Sequence, residues 1–206
     1  MAFKKEIDIN KADPKQMKKI NTIAKVSAQL FAKKSYRETS MDEVAMAAKL
    51  TKGGVYYYFP SKNEVLYFIC STYVNLDLEG LEVSLSGLRE SDEKIKFIVF
   101  RHIDHYITHV DSAKTLLNEA FNLPPKYLRE VRAMERRYFE IVSGVISDLL
   151  GAKSNKDLVT TLAFTLFGMM NWIYAWYDPK GSMKPKELSQ LIYEVFTNGI
   201  KNSILK

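Results

Sequence analysis

The sequence predicts an all-α protein of nine helices, and three observations carry that prediction. Apolar residues recur at three- and four-residue spacing through almost every segment, which is the period of a helix and not of a strand. Glycine (9) and proline (6) are few among the 206 residues. Several of them fall where the helical pattern stops, as helix-breaking residues should.

The elements follow in order. Ile20, Ile23, Ala24, Leu30 and Phe31, with Ser27 between them, form the stripe of a first helix from about Lys15 to Lys34. Ser35–Glu38 connects it to Ser40-Met41-Asp42-Glu43, which has the hydroxyl-then-carboxylate spacing of a capping box. A short helix runs from there to about Ala48. Lys49-Leu50-Thr51 makes a tight turn, and Thr51 caps a third helix through Tyr58. Pro60 stops it, because a proline ring cannot continue a helix. Ser61 caps a fourth helix to about Val83, with Ser86-Gly87 as its break. Five more follow, near 91–110, 112–121, 125–150, 156–177 and 185–205, separated by loops that hold Pro124, Gly151 and Pro179-Gly181.

Composition narrows the function. A 47% hydrophobic content supports a sizeable core. The one cysteine, Cys70, forbids an intrachain disulfide, and a reducing, cytoplasmic home is expected. The charged N-terminus does not read as a signal peptide. Leu158–Tyr177 is uncharged and as long as a bilayer span. Its threonines and Asn171 favour a buried core helix, so no membrane is expected as a partner. Net charge is +6, and residues 1–62 carry 13 Lys and Arg against 6 Asp and Glu. The excess of positive charge therefore lies at the N-terminus, which is the footprint of phosphate-backbone binding.

Two short helices joined by a tight turn, after a longer helix, form the pattern of a helix-turn-helix unit, whose second helix enters the major groove. Gly53 and Gly54 would let the backbone approach DNA. Tyr56, Tyr57 and Tyr58 offer hydroxyls to phosphates and rings to thymine methyls. Neighbouring helical residues diverge by about 100°, so the three tyrosines cannot all serve one core.

Thr39–Ala48, Thr51-Lys52-Gly53-Gly54-Val55-Tyr56-Tyr57-Tyr58-Phe59 and Ser61-Lys62-Asn63-Glu64-Val65-Leu66 together resemble the DNA-binding signature of the TetR family. The resemblance implies a TetR-like nine-helix architecture with double-stranded operator DNA as partner. Residues 1–62 would be the DNA-binding domain and 63–206 the ligand-binding and dimerisation domain. It places Ser40, Thr51, Tyr56 or Tyr57, and Lys62 at phosphates. Lys52, Gly53, Gly54 and Tyr58 would face base edges, and Val44, Ala47, Val55 and Phe59 would pack inside. Two departures stand out. Lys49 occupies the turn position where the family usually has glycine, and a left-handed lysine costs more than glycine would. The histidine common at the Tyr58 position is absent, so an operator cannot be borrowed.

Beyond residue 66 no phosphate loop, cysteine pair or nucleophile elbow is present, and no enzyme, cofactor or metal is expected. His102, His105 and His109 share one helix face within about 60°. They read as the polar edge of a core or pocket, with a metal site as the alternative. Arg129, Arg132 and Arg136 also share a face, either solvated beside Glu130, Glu135 and Glu140 or acting as an anion clamp. The run Asn171–Tyr177 with Asp178-Pro179-Lys180-Gly181, Leu123–Arg129, and Arg136-Arg137-Tyr138 are similar to the C-terminal half of acyl-CoA-responsive TetR regulators. That resemblance implies an effector lined by His102, Tyr106, Phe167, Met170, Trp172 and Trp176, with its phosphates on the three arginines.

Leu188, Leu191, Ile192, Val195 and Phe196, followed by Ile200, form an apolar stripe in the last helix. The family implies that the last two helices pair with their twins there as a four-helix bundle in a homodimer; the alternative is a core stripe buried within the protomer. The expectation is a regulator, acting as a repressor, released from a palindromic operator by a small hydrophobic effector such as an acyl-CoA. The rivals are a regulator of an efflux or aromatic-degradation operon that senses another apolar molecule, and a membrane-anchored interaction protein.

Overall fold

The computed structural model describes residues 12–204. The N-terminal stretch read above as no signal peptide, and the expected end of the last helix at Leu205, lie wholly or mostly outside them. Every described element is helical. The nine expected helices are all present, and the fourth is interrupted, so ten α-helical stretches result.

Local chemistry explains the starts. α1 (Pro14–Lys34) is capped by Asp13, whose carboxylate accepts from the backbone N–H of Lys15 and Gln16, while Gln16 returns a bond to the Asp13 N–H. Pro14 at its first position has no N–H to leave unpaired. α2 (Met41–Ala47) begins with the expected capping box of Ser40 and Glu43. α3 (Lys52–Tyr58) is capped by Thr51. The N–H of Glu64 reaches Ser61 Oγ in the first turn of α4 (Lys62–Leu78).

The fourth helix stops five residues before the expected Val83. Gly80 takes φ +67°, a left-handed conformation that glycine adopts without cost. α5 (Leu81–Ser86) then starts afresh. α6 (Ser91–Thr108) and α7 (Val110–Glu119) follow, and a 3₁₀ turn at Ala120–Asn122 leads to the long α8 (Pro125–Leu150). α9 (Lys156–Asn171) ends six residues before the expected Tyr177 and tightens into a 3₁₀ turn at Trp172–Ala175. α10 (Pro185–Ser203) closes the chain.

Two compact units result, and their division differs from the cut expected after residue 62. The first comprises residues up to Val74 together with Asp111–Arg132; the second comprises Asn75–Val110 and Ala133 onward. The boundaries fall inside α4, after the first residue of α7, and inside α8. A sequence cut places α4 and α8 on one side, whereas each contributes its N-terminal part to the first unit.

In the first unit Ile20, Ile23, Phe31, Val44, Val55, Phe59 and Leu66 are fully buried. Arg37 Nε donates to Asn122 Oδ1 at 3.1 Å, and Asn122 donates to Glu119, which ties the α1–α2 connector to the 3₁₀ turn. Tyr67 of α4 stacks on Tyr127 of α8 with ring centroids 4.5 Å apart. In the second unit α10 packs on α6, with Ile95, Ile98, Val99 and Ile103 buried against Leu188, Ile192, Phe196 and Ile200 of the opposing stripe. The stretch Lys156–Ala175 is long and apolar enough to cross a membrane by length and composition, and 28% of it is buried within the protomer.

Candidate nucleic-acid interface and sensing core

The helix-turn-helix is built on a reversal that its sequence does not favour. The N–H of Leu50 bonds the Ala45 carbonyl and that of Lys49 bonds the Met46 carbonyl, the pairing of a Schellman close. This close needs a left-handed residue after the helix, and Lys49 supplies it at φ +54°. Val55 and Phe59 are fully buried and anchor α3 on α1 and α2, so Lys52, Gly53, Tyr56 and Tyr57 face outward.

The expected DNA-contacting residues separate into groups. Lys52 and Gly53 are exposed, and so are Tyr56 (40%) and Tyr57 (38%). Core packing is thereby excluded for those two tyrosines. Tyr58 is half-buried with its ring edge-on to Tyr57 at 5.1 Å. Gly54 has a packing reason as well: a Cβ there would sit 3.2 Å from Thr51 Oγ1, the atom that accepts the Gly54 N–H. Thr51 accepts that bond, and its own proton remains for a further acceptor. Ser40 instead donates its hydroxyl proton to Glu43 Oε2 at 2.9 Å.

Lys62 departs most from its expected place. Its ammonium donates to the Tyr36 and Thr39 carbonyls, both at 2.9 Å, and lies 4.3 Å from the centre of the Tyr36 ring. Burial lowers its pKa. In the free protein this lysine is a strut that holds the α1–α2 connector to α4. Sequence spacing did not reveal this, because the carbonyls lie more than twenty residues away. Lys34 is likewise ion-paired with Glu43. That bond, together with the Ser40 N–H, holds the Glu43 carboxyl at a pKa of about 2.

The second unit holds a buried polar cluster. His105 Nδ1 donates to Asp77 Oδ1 at 2.8 Å, and Asp77 is itself buried. His102 Nδ1 lies 3.2 Å from the Tyr138 hydroxyl and 3.8 Å from Asp77 Oδ2, and its Nε2 meets Asn171 Oδ1 at 3.1 Å. Tyr106 donates to the Asn171 carbonyl, and burial raises its pKa strongly. Phe167 closes on His102 and Tyr138 edge-on. The polar edge expected from His102 and His105 is thus present, and Asp77 is the partner that sequence reasoning missed. His109 lies outside this cluster on the exposed C-cap of α6. Among the described residues, no group of three or more His, Cys, Asp or Glu is placed to hold a metal.

The expected effector constellation is only partly assembled. His102, Tyr106 and Met170 are buried and Phe167 is half-buried, all in the second unit. Trp172 and Trp176 are 62% and 59% exposed, because the 3₁₀ turn carries them off the α9 face that Phe167 and Met170 share. Arg129 and Arg132 belong to the first unit and Arg136 to the second, all exposed. The α10 stripe divides as well. Leu188, Ile192 and Phe196 are buried within the protomer, whereas Leu191 and Val195 are exposed, together with Phe164 of α9.

The fold and the exposed recognition helix define a helix-turn-helix regulator of all-α type. Residues 23–67 match the family described as bacterial regulatory proteins, tetR family, and residues 89–200 match the tetracyclin repressor-like C-terminal domain. The chain belongs to the TetR family, whose members here are transcriptional regulators and not enzymes. It is similar to a TetR-family transcriptional regulator from Bordetella parapertussis, 30% identical with a TM-score of 0.83, covering 90% of this chain and 97% of that one. The HTH-type transcriptional repressor KstR2 of Rhodococcus jostii is 27% identical over 85% of this chain and 87% of its own. The structure of AibR with isovaleryl coenzyme A and operator DNA has a TM-score of 0.74 at 22% identity, covering 86% and 97%. The match to the YerO regulator of Bacillus subtilis, 30% identical over 100 residues, spans about a third of that relative's length.

Proposed function

We propose that this DNA-binding regulator is a cytoplasmic homodimeric repressor, released from a palindromic operator by a small hydrophobic effector. The observation that carries the DNA-binding surface is α3. A seven-residue helix with a buried Val55 leaves two tyrosines exposed beside Lys52 and two glycines, a surface with no use in the protomer's own core. Thr51, Tyr56 and Tyr57 hold phosphates, and Lys52, Gly53, Gly54 and Tyr58 lie along base edges. Ser40 joins the phosphate set only by redirecting the proton that now serves Glu43, and Lys62 by the third N–H of an ammonium whose other two hold the connector carbonyls. Tyr56→Phe should therefore weaken binding to all duplexes alike, since phosphate contacts carry no sequence information.

Repression is supported by the KstR2 relative, which is named a repressor. A second copy covers Phe164, Leu191 and Val195, and two-fold symmetry then presents two recognition helices to a palindrome.

For the effector we infer an acyl-CoA-type ligand. AibR, of the same fold, was solved with isovaleryl coenzyme A. The acyl part would enter near Phe167, Met170 and the His102–Tyr138 pair. Trp172 and Trp176 would mark the rim of the site, and Arg136 of the same unit would meet phosphate. Each buried methylene adds about 0.8 kcal/mol, so release should grow with chain length. The test is titration of acyl-CoAs of increasing length, with matched free fatty acids, against operator-bound protein. Lengthening acyl-CoAs should release DNA and fatty acids should act weakly. No release by any acyl-CoA at micromolar level rejects this ligand class.

A further inference from the structure

We propose that Asp42 is a specificity-determining positioning residue: it holds the Lys52 ammonium so that the lysine reads a guanine edge and not the nearest phosphate. This rests on the DNA-binding reading of α3 given above.

Lys52 is the first residue of α3 and its one charged side chain. Its ammonium lies 2.9 Å from Asp42 Oδ1 and 3.1 Å from Oδ2, across from the first turn of α2. Both side chains are exposed, so neither is there to fill the core. The pairing raises the Lys52 pKa, so the lysine stays charged.

A free lysine is a point charge on a four-carbon stem, and near a duplex it settles on phosphate. An exposed carboxylate at hydrogen-bond distance works against that use. It cancels the lysine's charge and is itself repelled by the backbone. The same carboxylate suits base reading. It takes one of three ammonium donors and fixes the stem, and the remaining two match the O6 and N7 acceptors that guanine presents in the major groove. Two other basic side chains near the motif are occupied differently: Lys34 is bound to Glu43, and Lys62 holds two backbone carbonyls, while Lys49 lies exposed in the turn and not on α3. Lys52 with its acidic partner is the pair left on the outward face of the recognition helix.

The experiment is selection from a duplex library with a random core, using the full chain as wild type, Lys52→Ala, Asp42→Asn and Asp42→Glu. Salt titration on random-sequence duplex runs beside it. Wild type should enrich a palindrome with guanine at one position of each half-site, and Lys52→Ala should erase the preference at that position alone. Asp42→Asn should lower that guanine preference on the order of ten-fold. It should also steepen the salt slope by about one per protomer, as the freed lysine takes a phosphate. Asp42→Glu should restore both. A mere loss of α2 stability would weaken all sequences equally and leave the position-specific preference intact. If Asp42→Asn enriches the same site with the same guanine preference and salt slope, the positioning role is wrong. If Lys52→Ala leaves the wild-type site intact, the proposal fails while DNA binding stands. If wild type enriches no site, the DNA-binding reading falls with it.

Discussion

Single residues in the first unit carry strain and charge whose removal has a definite sign. Lys49 is held left-handed by the close of α2, where a Cβ is unfavourable by about 1–2 kcal/mol. Lys49→Gly should raise stability by about 1 kcal/mol, after glycine's greater unfolded-state freedom is deducted, seen as a higher denaturant midpoint. A lower midpoint would mean that the lysine side chain makes a contact worth more than the strain. Glu43 works through pH. Its folded pKa, about 2, lies below its ordinary value of 4.5, so its contribution is present above pH 4.5 and is lost as pH falls through 2. Unfolding midpoints between pH 6 and pH 2.5 should fall less steeply in Glu43→Gln than in the wild type. Equal slopes would remove the Lys34–Glu43–Ser40 group as a source of acid sensitivity.

At the scale of elements, the histidine cluster holds four helices together in the second unit. Asp77 comes from α4, His102 and His105 from α6, Tyr138 from α8 and Asn171 from α9. A buried carboxylate that loses its donor bears the full desolvation penalty, about 1–3 kcal/mol or more for a charged group. His105→Ala should therefore destabilise the protein by about 2–3 kcal/mol, and adding Asp77→Ala should recover part of that loss. Strict additivity of the two, measured by chemical denaturation, would show that the pair does not interact. The period of α6 placed both histidines on one face, which was legible in the sequence. What faces them was not, because Asp77 and Tyr138 reach the site from other helices 25 and more residues away.

For the whole molecule, the division of the α10 stripe sets the expected assembly. Leu188, Ile192, Phe196 and Ile200 recur every four residues and are buried against α6. Leu191 and Val195, also four apart, lie exposed on a neighbouring face. Replacing both with Glu should spare the protomer core and place like charges at the two-fold contact, which is costly to bury. Light scattering should report monomer, near-UV signals should persist, and operator affinity should fall sharply. A folded double mutant that remains dimeric would move the interface off this face.

The sequence by itself determined the helices and most of their starts. Caps such as Ser40, Thr51 and Ser61 act within three residues, and the helical turn forbids three consecutive tyrosines from sharing one core; both are local and readable along the chain, whereas which tyrosines lie exposed was not. Only the tertiary structure decided which apolar residues of α10 are core, that Lys62 braces a connector, and that Asp77 joins the histidines. It also placed Trp172 and Trp176 outside the buried cluster and split the arginine face between two units. The physical reason is the same in each case. Periodicity says which residues share a face, whereas burial and hydrogen-bond satisfaction depend on what distant segments bring to it.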